Sequence, residues 1–458
     1  MKIVHLNSYD IKGGAARATY RLHTGLRQQG CDSSMMVAHR SSSDPSVLAF
    51  YPPMDLTSRL WRRFRQQRIS HSFFKFVANR PRGFEKFSDD RSCYGTSLAK
   101  ELPSCDIVNL HWIADFVDYQ AFFSTVPEHI PIFWRLSDMN ALTGGCHFDD
   151  GCGGHAAGCG ACPQIGSTDS RDLSYQIWLR KQTVFNRLSP KRLHIIALNR
   201  WMAELVKQSP LLGKFAVTIV PNGIDTNVFA PRDVHVARQV LGIPEQGRVV
   251  LFASDVVTNR RKGFALLAAA LHELHTMDNL FLLSVGGGTP KIEAAIPYLH
   301  LGHIDDDRLL ALVYAAADTY VIPSLQDNQP NTVLEAMACG TPVVGFDVGG
   351  IPDMVRPGVT GLLTPAGDVR GLSAAIAKIL ESHQMRKEMG ETCRRVVTAE
   401  YTLETQVRHY IELYTAALER VSPKILDGSR KVPGAPSIEV PKGFLVDNVA
   451  TPGGVTPQ

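Results

Sequence analysis

No run of 18 or more apolar residues occurs in the 458-residue chain, so hydropathy offers no membrane-spanning helix. The opening, Met1-Lys-Ile-Val-His-Leu-Asn7, lacks the apolar stretch and cleavage site of a secretion signal, and a cytoplasmic location is expected. An excess of one charge is missing too. Lys and Arg number 48 against 44 Asp and Glu, and a net +4 does not call for a nucleic-acid partner. Neither glycine-rich loop, Gly13-Gly14 or Gly286-Gly-Gly288, has the G-x-G-x-x-G spacing of a dinucleotide site, which disfavours a dehydrogenase. Of nine cysteines, four crowd into seventeen residues, so a chain-wide disulfide framework is absent.

One absence is regional. From Leu56 to Phe84 there is no acidic residue, while Arg59, Arg62, Arg63, Arg65, Arg68, Lys75, Arg80 and Arg82 alternate with Trp61, Phe64, Phe73, Phe74 and Phe76. Such a segment suits an anionic membrane surface, where each cation near the interface is worth about 1 kcal/mol. It suits equally a helix whose aromatics pack on the core, and a polyanionic partner stays open beside these. What remains is ordinary: 44% hydrophobic and 20% charged residues, and length for two to three domains.

The most informative stretch is Pro323–Gly345. Thr319–Ile322 reads as a buried parallel strand, a polar loop follows, and a helix starts near Asn331. Gly340 ends that helix, Pro342 forbids its continuation, and Pro342–Phe346 is a second strand. The loop of such a unit lies at the carboxyl end of a sheet, where open α/β folds bind ligands. Asp327 and Glu335 sit eight positions apart across it. Between them, the backbone N–H groups of Asn331, Thr332 and Val333 turn a positive helix end toward an anion. Acids for sugar hydroxyls beside amides for a diphosphate fit a nucleotide-sugar pocket. A loop carboxylate and a solvated helix residue give the same spacing.

The stretch resembles the donor-site motif of family 4 glycosyltransferases, retaining enzymes whose two Rossmann-like domains face a cleft (the GT-B fold). Glu335 matches the second of that motif's two glutamates; Asp327, one methylene shorter, stands at the first. The loop Asp327-Asn-Gln-Pro-Asn-Thr332 replaces the usual Glu-Gly-Phe-Gly type. Pro221-Asn222-Gly223-Ile224-Asp225 resembles the family's interdomain hinge, and the likeness runs over roughly residues 1–420. It implies an acceptor domain over 1–220, a donor domain over 221–400, and a helix over 401–420 that crosses back to the first domain. Residues 421–458, rich in Pro, Gly and Val, are expected to be disordered.

In the first half, Lys2–Leu6, the Asn7–Gly14 loop, a helix over Ala15–Gln29 and a strand at Ser33–Ala38 make a βαβ start. Gly13 and Gly14 let the backbone approach a bound group, and in the family such a loop faces donor diphosphate and acceptor. A plain tight turn is the alternative. Strand Asp106–Leu110 delivers His111, whose counterpart in the family lies near the transferred sugar, and Pro131–Leu136 leads to Asp138 on the acceptor side. Arg200, near another strand end, could reach a phosphate or form a surface ion pair.

Cys159-x-x-Cys162 can hold two sites of a tetrahedral ion, with Cys146 and Cys152 supplying the others. Structural zinc, free thiols and redox chemistry all remain open there. A similar insert occurs in some exopolysaccharide members of the family.

In the second half, the loop after Val249–Ala253 carries Asn259-Arg-Arg-Lys-Gly263. Lys262 matches the family's diphosphate-neutralising lysine, and Arg261 substitutes for an arginine that is absent nearer the strand. Gly287 belongs to a close-approach loop near the nucleotide, and Asp305-Asp-Asp307 reads as helix capping.

The implied activity is retaining transfer of a sugar, of hexosyl type, from a nucleotide-diphosphate sugar to a glycan or lipid-linked acceptor hydroxyl, as in exopolysaccharide synthesis. No obligatory metal follows, because Lys262, Arg261 and the helix amides supply fixed positive charge. A nucleotide-sugar epimerase of the same architecture, or a non-catalytic binder of nucleotide sugars or membranes, are the rivals.

Overall fold

The computed structural model describes residues 1–78, 80–292 and 296–421, so the tail expected to be disordered falls, past Val421, outside the described residues. The first half forms one seven-stranded parallel sheet. Its strands are β1 (Lys2–Tyr9), β2 (Asp32–His39), β3 (Val47–Ala49), β4 (Ile107–Leu110), β5 (Ile132–Arg135), β6 (Leu193–Ala197) and β7 (Ala216–Ile219), in the order 3-2-1-4-5-6-7. Around it run α1 (Gly14–Gln28), α2 (Leu56–Val77), α3 (Ser97–Lys100), α4 (Tyr119–Thr125), α5 (Leu173–Arg187) and α6 (Arg200–Gln208).

A second parallel sheet has the order 10-9-8-11-12-13. It comprises β8 (Arg248–Val256), β9 (Leu280–Gly287), β10 (Tyr298–His300), β11 (Thr319–Ile322), β12 (Val343–Phe346) and β13 (Gly361–Thr364). Its helices are α7 (Val234–Leu241), α8 (Phe264–Glu273), α9 (Asp307–Ala315), α10 (Asn331–Ala338), α11 (Ile351–Met354), α12 (Val369–Glu381) and α13 (His383–Glu400). Helix α14 (Leu403–Val421) returns to the first sheet, where Leu403, Val407, Tyr410 and Tyr414 are buried with Leu22, Leu26 and Phe133. This is the two-domain, doubly wound GT-B architecture.

Burial on both faces explains the strand sequences. β4, β5, β11 and β12 are buried at every residue and read as unbroken apolar runs apart from Asn109, Arg135, Thr319 and Gly345. In each sheet the strand order reverses beside its first strand, β1 against β4 and β8 against β11. Such switch points open a crevice at the carboxyl ends of the strands.

The turn after α10 is a Schellman closure. Gly340, at φ 80°, donates to the Met337 carbonyl and Thr341 donates to that of Ala336.

Candidate active site

The two crevices merge into one cavity of about 550 Å³. From the first domain come Gly13, Gly14 and Arg17 after β1, Trp112 after β4, Asp138 after β5, and His147. The second domain contributes Ser254 and Asp255 of β8, Gly286, Lys262, Asp327, Asn331, Thr332 and Glu335. Lys262 and Glu335 therefore face the same groove.

Two interlocked backbones fix the cation turn. Leu325 N–H donates to the Arg261 carbonyl at 2.8 Å, and Gly263, at φ 72°, lies so close to Pro323 that a Cβ would stand 1.8 Å from its carbonyl oxygen. Lys262 Nζ then donates to Asp327 Oδ2 at 2.6 Å, and Arg261 Nη1 lies 3.3 Å from Oδ1. Ser324 Oγ donates to Oδ2 as well, at 3.1 Å. Burial alone would raise the Asp327 carboxyl, but Lys262 and Arg261 bring it below the ordinary carboxylate range. Asp327 thus holds the two cations at the cavity wall.

Arg261 also meets Glu85 Oε1 at 2.6 Å and lies 3.9 Å from the Phe148 ring centroid. Lys262 forms only the Asp327 bond among the described residues, which leaves two of its three ammonium donors for a ligand.

Glu335 is tied across the groove. Arg21, on α1, donates from both terminal nitrogens to Oε1 at 3.1 Å, and Tyr314 Oη donates to Oε2 at 3.0 Å. Arg21 also pairs with Asp307, and Arg17 with Asp305 and Asp307. Burial would lower the Arg21 guanidinium, yet Glu335 and Asp307 keep it raised. Of the three aspartates, Asp306 caps α9 through the N–H groups of Arg308 and Leu309. The other two receive the α1 arginines.

The amides of the loop from Asp327 to Thr332 also join the domains. Asn199 Nδ2 donates to the Asn328 carbonyl at 2.9 Å, and Asn328 Nδ2 to the Leu136 carbonyl at 3.0 Å. Asn222, in the hinge, donates its N–H to Gln329 at 2.7 Å and its side-chain amide to Asn331 at 3.0 Å. Asn331 in turn donates to the Gly14 carbonyl at 3.0 Å.

On the opposite wall, Asp138 Oδ2 meets His147 Nδ1 at 2.5 Å and accepts from Trp112 Nε1 at 2.8 Å. Burial would raise its carboxyl, but His147 brings it down. His147 Nε2 shares a 2.8 Å hydrogen bond with Ser88 Oγ.

Several expected site residues lie elsewhere. His111 turns inward from β4, is fully buried and meets His5 at 2.9 Å; the strand's alternation gives the cavity to Trp112. Arg200 pairs with Asp353 at 2.9 Å, outside the cavity lining. Val333 N–H donates to the Pro330 carbonyl, and its side chain is core, so Asn331 and Thr332 are the first-turn residues at the cavity. Gly286, not Gly287, lines it.

Cys146, Cys152, Cys159 and Cys162 surround a small cavity of about 100 Å³ together with His155. Among the described residues, however, no group of three or more ligand side chains is close enough to hold a metal ion, and all four thiols are free. Arg21, Glu85, His147 and Tyr314 carry no motif. The single sign available for Arg21 was its pairing with Arg17 at helical spacing just behind the glycine loop.

The family described as Glycosyl transferases group 1 matches residues 247–382, the part that holds Lys262, Asp327 and Glu335. A D-inositol 3-phosphate glycosyltransferase of Thermobispora bispora is 33% identical over 221 residues, 45% of this chain and 51% of that protein. The chain thus spans about half the length of the curated relative it matches. Among solved structures, sucrose-phosphate synthase from Thermosynechococcus elongatus superposes with a TM-score of 0.62 at 18% identity, covering 92% of this chain and all of that one. The Anabaena protein HepE in complex with UDP-glucose gives 0.61 at 16% identity, over 91% of this chain and 100% of its own. At these identities the likeness establishes the fold.

Proposed function

We propose that this chain is a retaining glycosyltransferase that moves a sugar from a nucleotide-diphosphate donor to an acceptor hydroxyl. One observation carries the reading: Lys262 and the first turn of α10 border a single cavity, reached from the switch points of two doubly wound sheets. Its volume, about 550 Å³, is of the size that encloses a small organic ligand. The activity of the Thermobispora bispora relative supports the class, and UDP-glucose in the HepE structure supports a nucleotide-sugar donor.

As the bond from the sugar's anomeric carbon to the diphosphate loosens, negative charge gathers on the leaving oxygen. Lys262, positioned by Asp327, and the amides of Asn331 and Thr332 are preorganised for that charge. Retention brings the acceptor oxygen to the face the diphosphate leaves, so the departing phosphate oxygen is the nearest base for the acceptor's proton. Asp138, held by His147 and Trp112, accepts a hydrogen bond from the acceptor on the facing wall. The acceptor class is a glycan or lipid-linked hydroxyl.

The test screens nucleotide sugars for protection against thermal unfolding, then follows release of nucleoside diphosphate with added acceptors. A donor at a hundred times its dissociation constant stabilises by about 2.7 kcal/mol. An isomerised donor formed without any acceptor would replace this reading with an epimerase. Binding without turnover would replace it with a non-catalytic binder.

A further inference from the structure

Helix α2 has 22 residues and not one is buried. Its inner side leans on the first domain through polar ties: Arg65 donates to the Ser92 carbonyl and pairs with Asp118, and Arg91 donates to Ser72. Phe73 and Phe76 pack partly on the small cluster around Phe87. Its outer side is open and interleaves apolar with basic residues. Leu56, Leu60, Trp61, Phe64, Phe74 and Val77 are exposed, from 48% at Phe64 to 76% at Phe74. The same face carries Arg59, Arg63, Arg68 and Lys75, none of them paired with a carboxylate among the described residues. No acid occurs between Asp55, which caps the helix, and Glu85.

A core-packing role for the outer aromatics is therefore excluded, and a partner has to be both apolar and anionic. A second copy in a two-fold contact would set these arginines against their own equivalents. A nucleic acid would leave Leu56, Leu60 and Val77 without a base to stack on. We propose that α2 docks on a lipid bilayer bearing anionic headgroups. The leucines and aromatics enter the acyl boundary while the arginines meet phosphate oxygens. Eight residues past Val77, Glu85 lines the cavity beside Lys86, so the docked helix is joined by a short segment to the wall of the proposed site. The docking does not rest on the transferase reading, and its test involves no turnover.

The full chain is sedimented with phosphatidylcholine vesicles and with vesicles in which about one-third of the lipid is phosphatidylglycerol. Binding to the anionic vesicles at least tenfold tighter than to the neutral ones is expected, and salt should weaken it. Replacing Arg59, Arg63 and Arg68 together by Gln should weaken it about a hundredfold, at roughly fivefold per cation. Replacing Leu60, Phe64 and Phe74 by Ser should abolish it, with the melting temperature of both variants unchanged because these side chains are exposed. Equal binding to both vesicle types, binding to neither, or variants that bind like the parent would overturn the proposal. So would a dimer in light scattering that the Ser variant dissolves without lipid.

Discussion

Lys262 and Asp327 illustrate how a residue's neighbours decide its role. The spacing of Asp327 and Glu335 marks both as site residues, but both carboxylates already hold cations, Lys262 and Arg261 on one side and Arg21 on the other. Each acid therefore fixes the cation beside it. Lys262→Ala should lower kcat by about 10²- to 10³-fold, the cost of removing one preorganised donor, while the donor dissociation constant changes far less. Stopped turnover alongside donor titration separates the two, and equal losses would deny Lys262 a part in stabilising the transition state. Arg21 was not legible because its partner lies 314 residues away, a distance no local pattern encodes. Arg21→Ala leaves the Glu335 carboxylate buried with Tyr314 alone, which should cost about 3–5 kcal/mol in urea unfolding. Adding Glu335→Gln should recover part of that loss, since the stranded charge is gone; purely additive losses would mean the pair is not coupled.

Elements were more legible than contacts. The strand at Thr319–Ile322 and the helix from Asn331 to its glycine stop were readable because an apolar run, a polar loop and a left-handed cap all agree locally. Less readable were β3, only three residues long, and α4, seven residues within an aromatic-rich stretch. Short edge strands and two-turn helices take their stability from packing, not from their own periodicity. The basic segment shows the limit from the other side: its sequence suits an anionic membrane surface and a helix with core-packed aromatics equally, and the exposure of Trp61, Phe64 and Phe74 counts only against their packing on the core. At this scale the turn bearing Lys262 makes the sharpest test. Gly263 is left-handed and its missing Cβ leaves room for the Pro323 carbonyl. Gly263→Ala should destabilise by about 2–4 kcal/mol and lose turnover along with it, as the turn and donor loop separate. A variant that melts like the parent would show that the two backbones are not locked together.

The whole molecule buries histidines that must stay neutral. His5 and His111 face each other inside the first sheet, and burial, with nearby His23 and Arg135, holds both well below the usual imidazole range. Burial also brings His23 and His194 down to about 4. In the unfolded chain each would titrate near 6.5. Between about pH 4 and 6.5 the unfolded state therefore holds protons that the native state refuses, and unfolding takes protons up. Stability is complete above pH 6.5 and falls as pH drops through that window. For His23 or His194 a shift of this size amounts to about 3 kcal/mol once the pH is below both values. Asp90 opposes them: burial and Asp89 push its carboxyl up to about 6, so it favours the native state as the medium turns acid. Four histidines against one such acid leave the loss dominant. Urea unfolding at pH 7.5 and pH 5.0 should show lower stability at the acid end, with the slope reduced in His23→Gln/His194→Gln. A flat profile over that interval would mean the imidazoles gain their protons without leaving the fold.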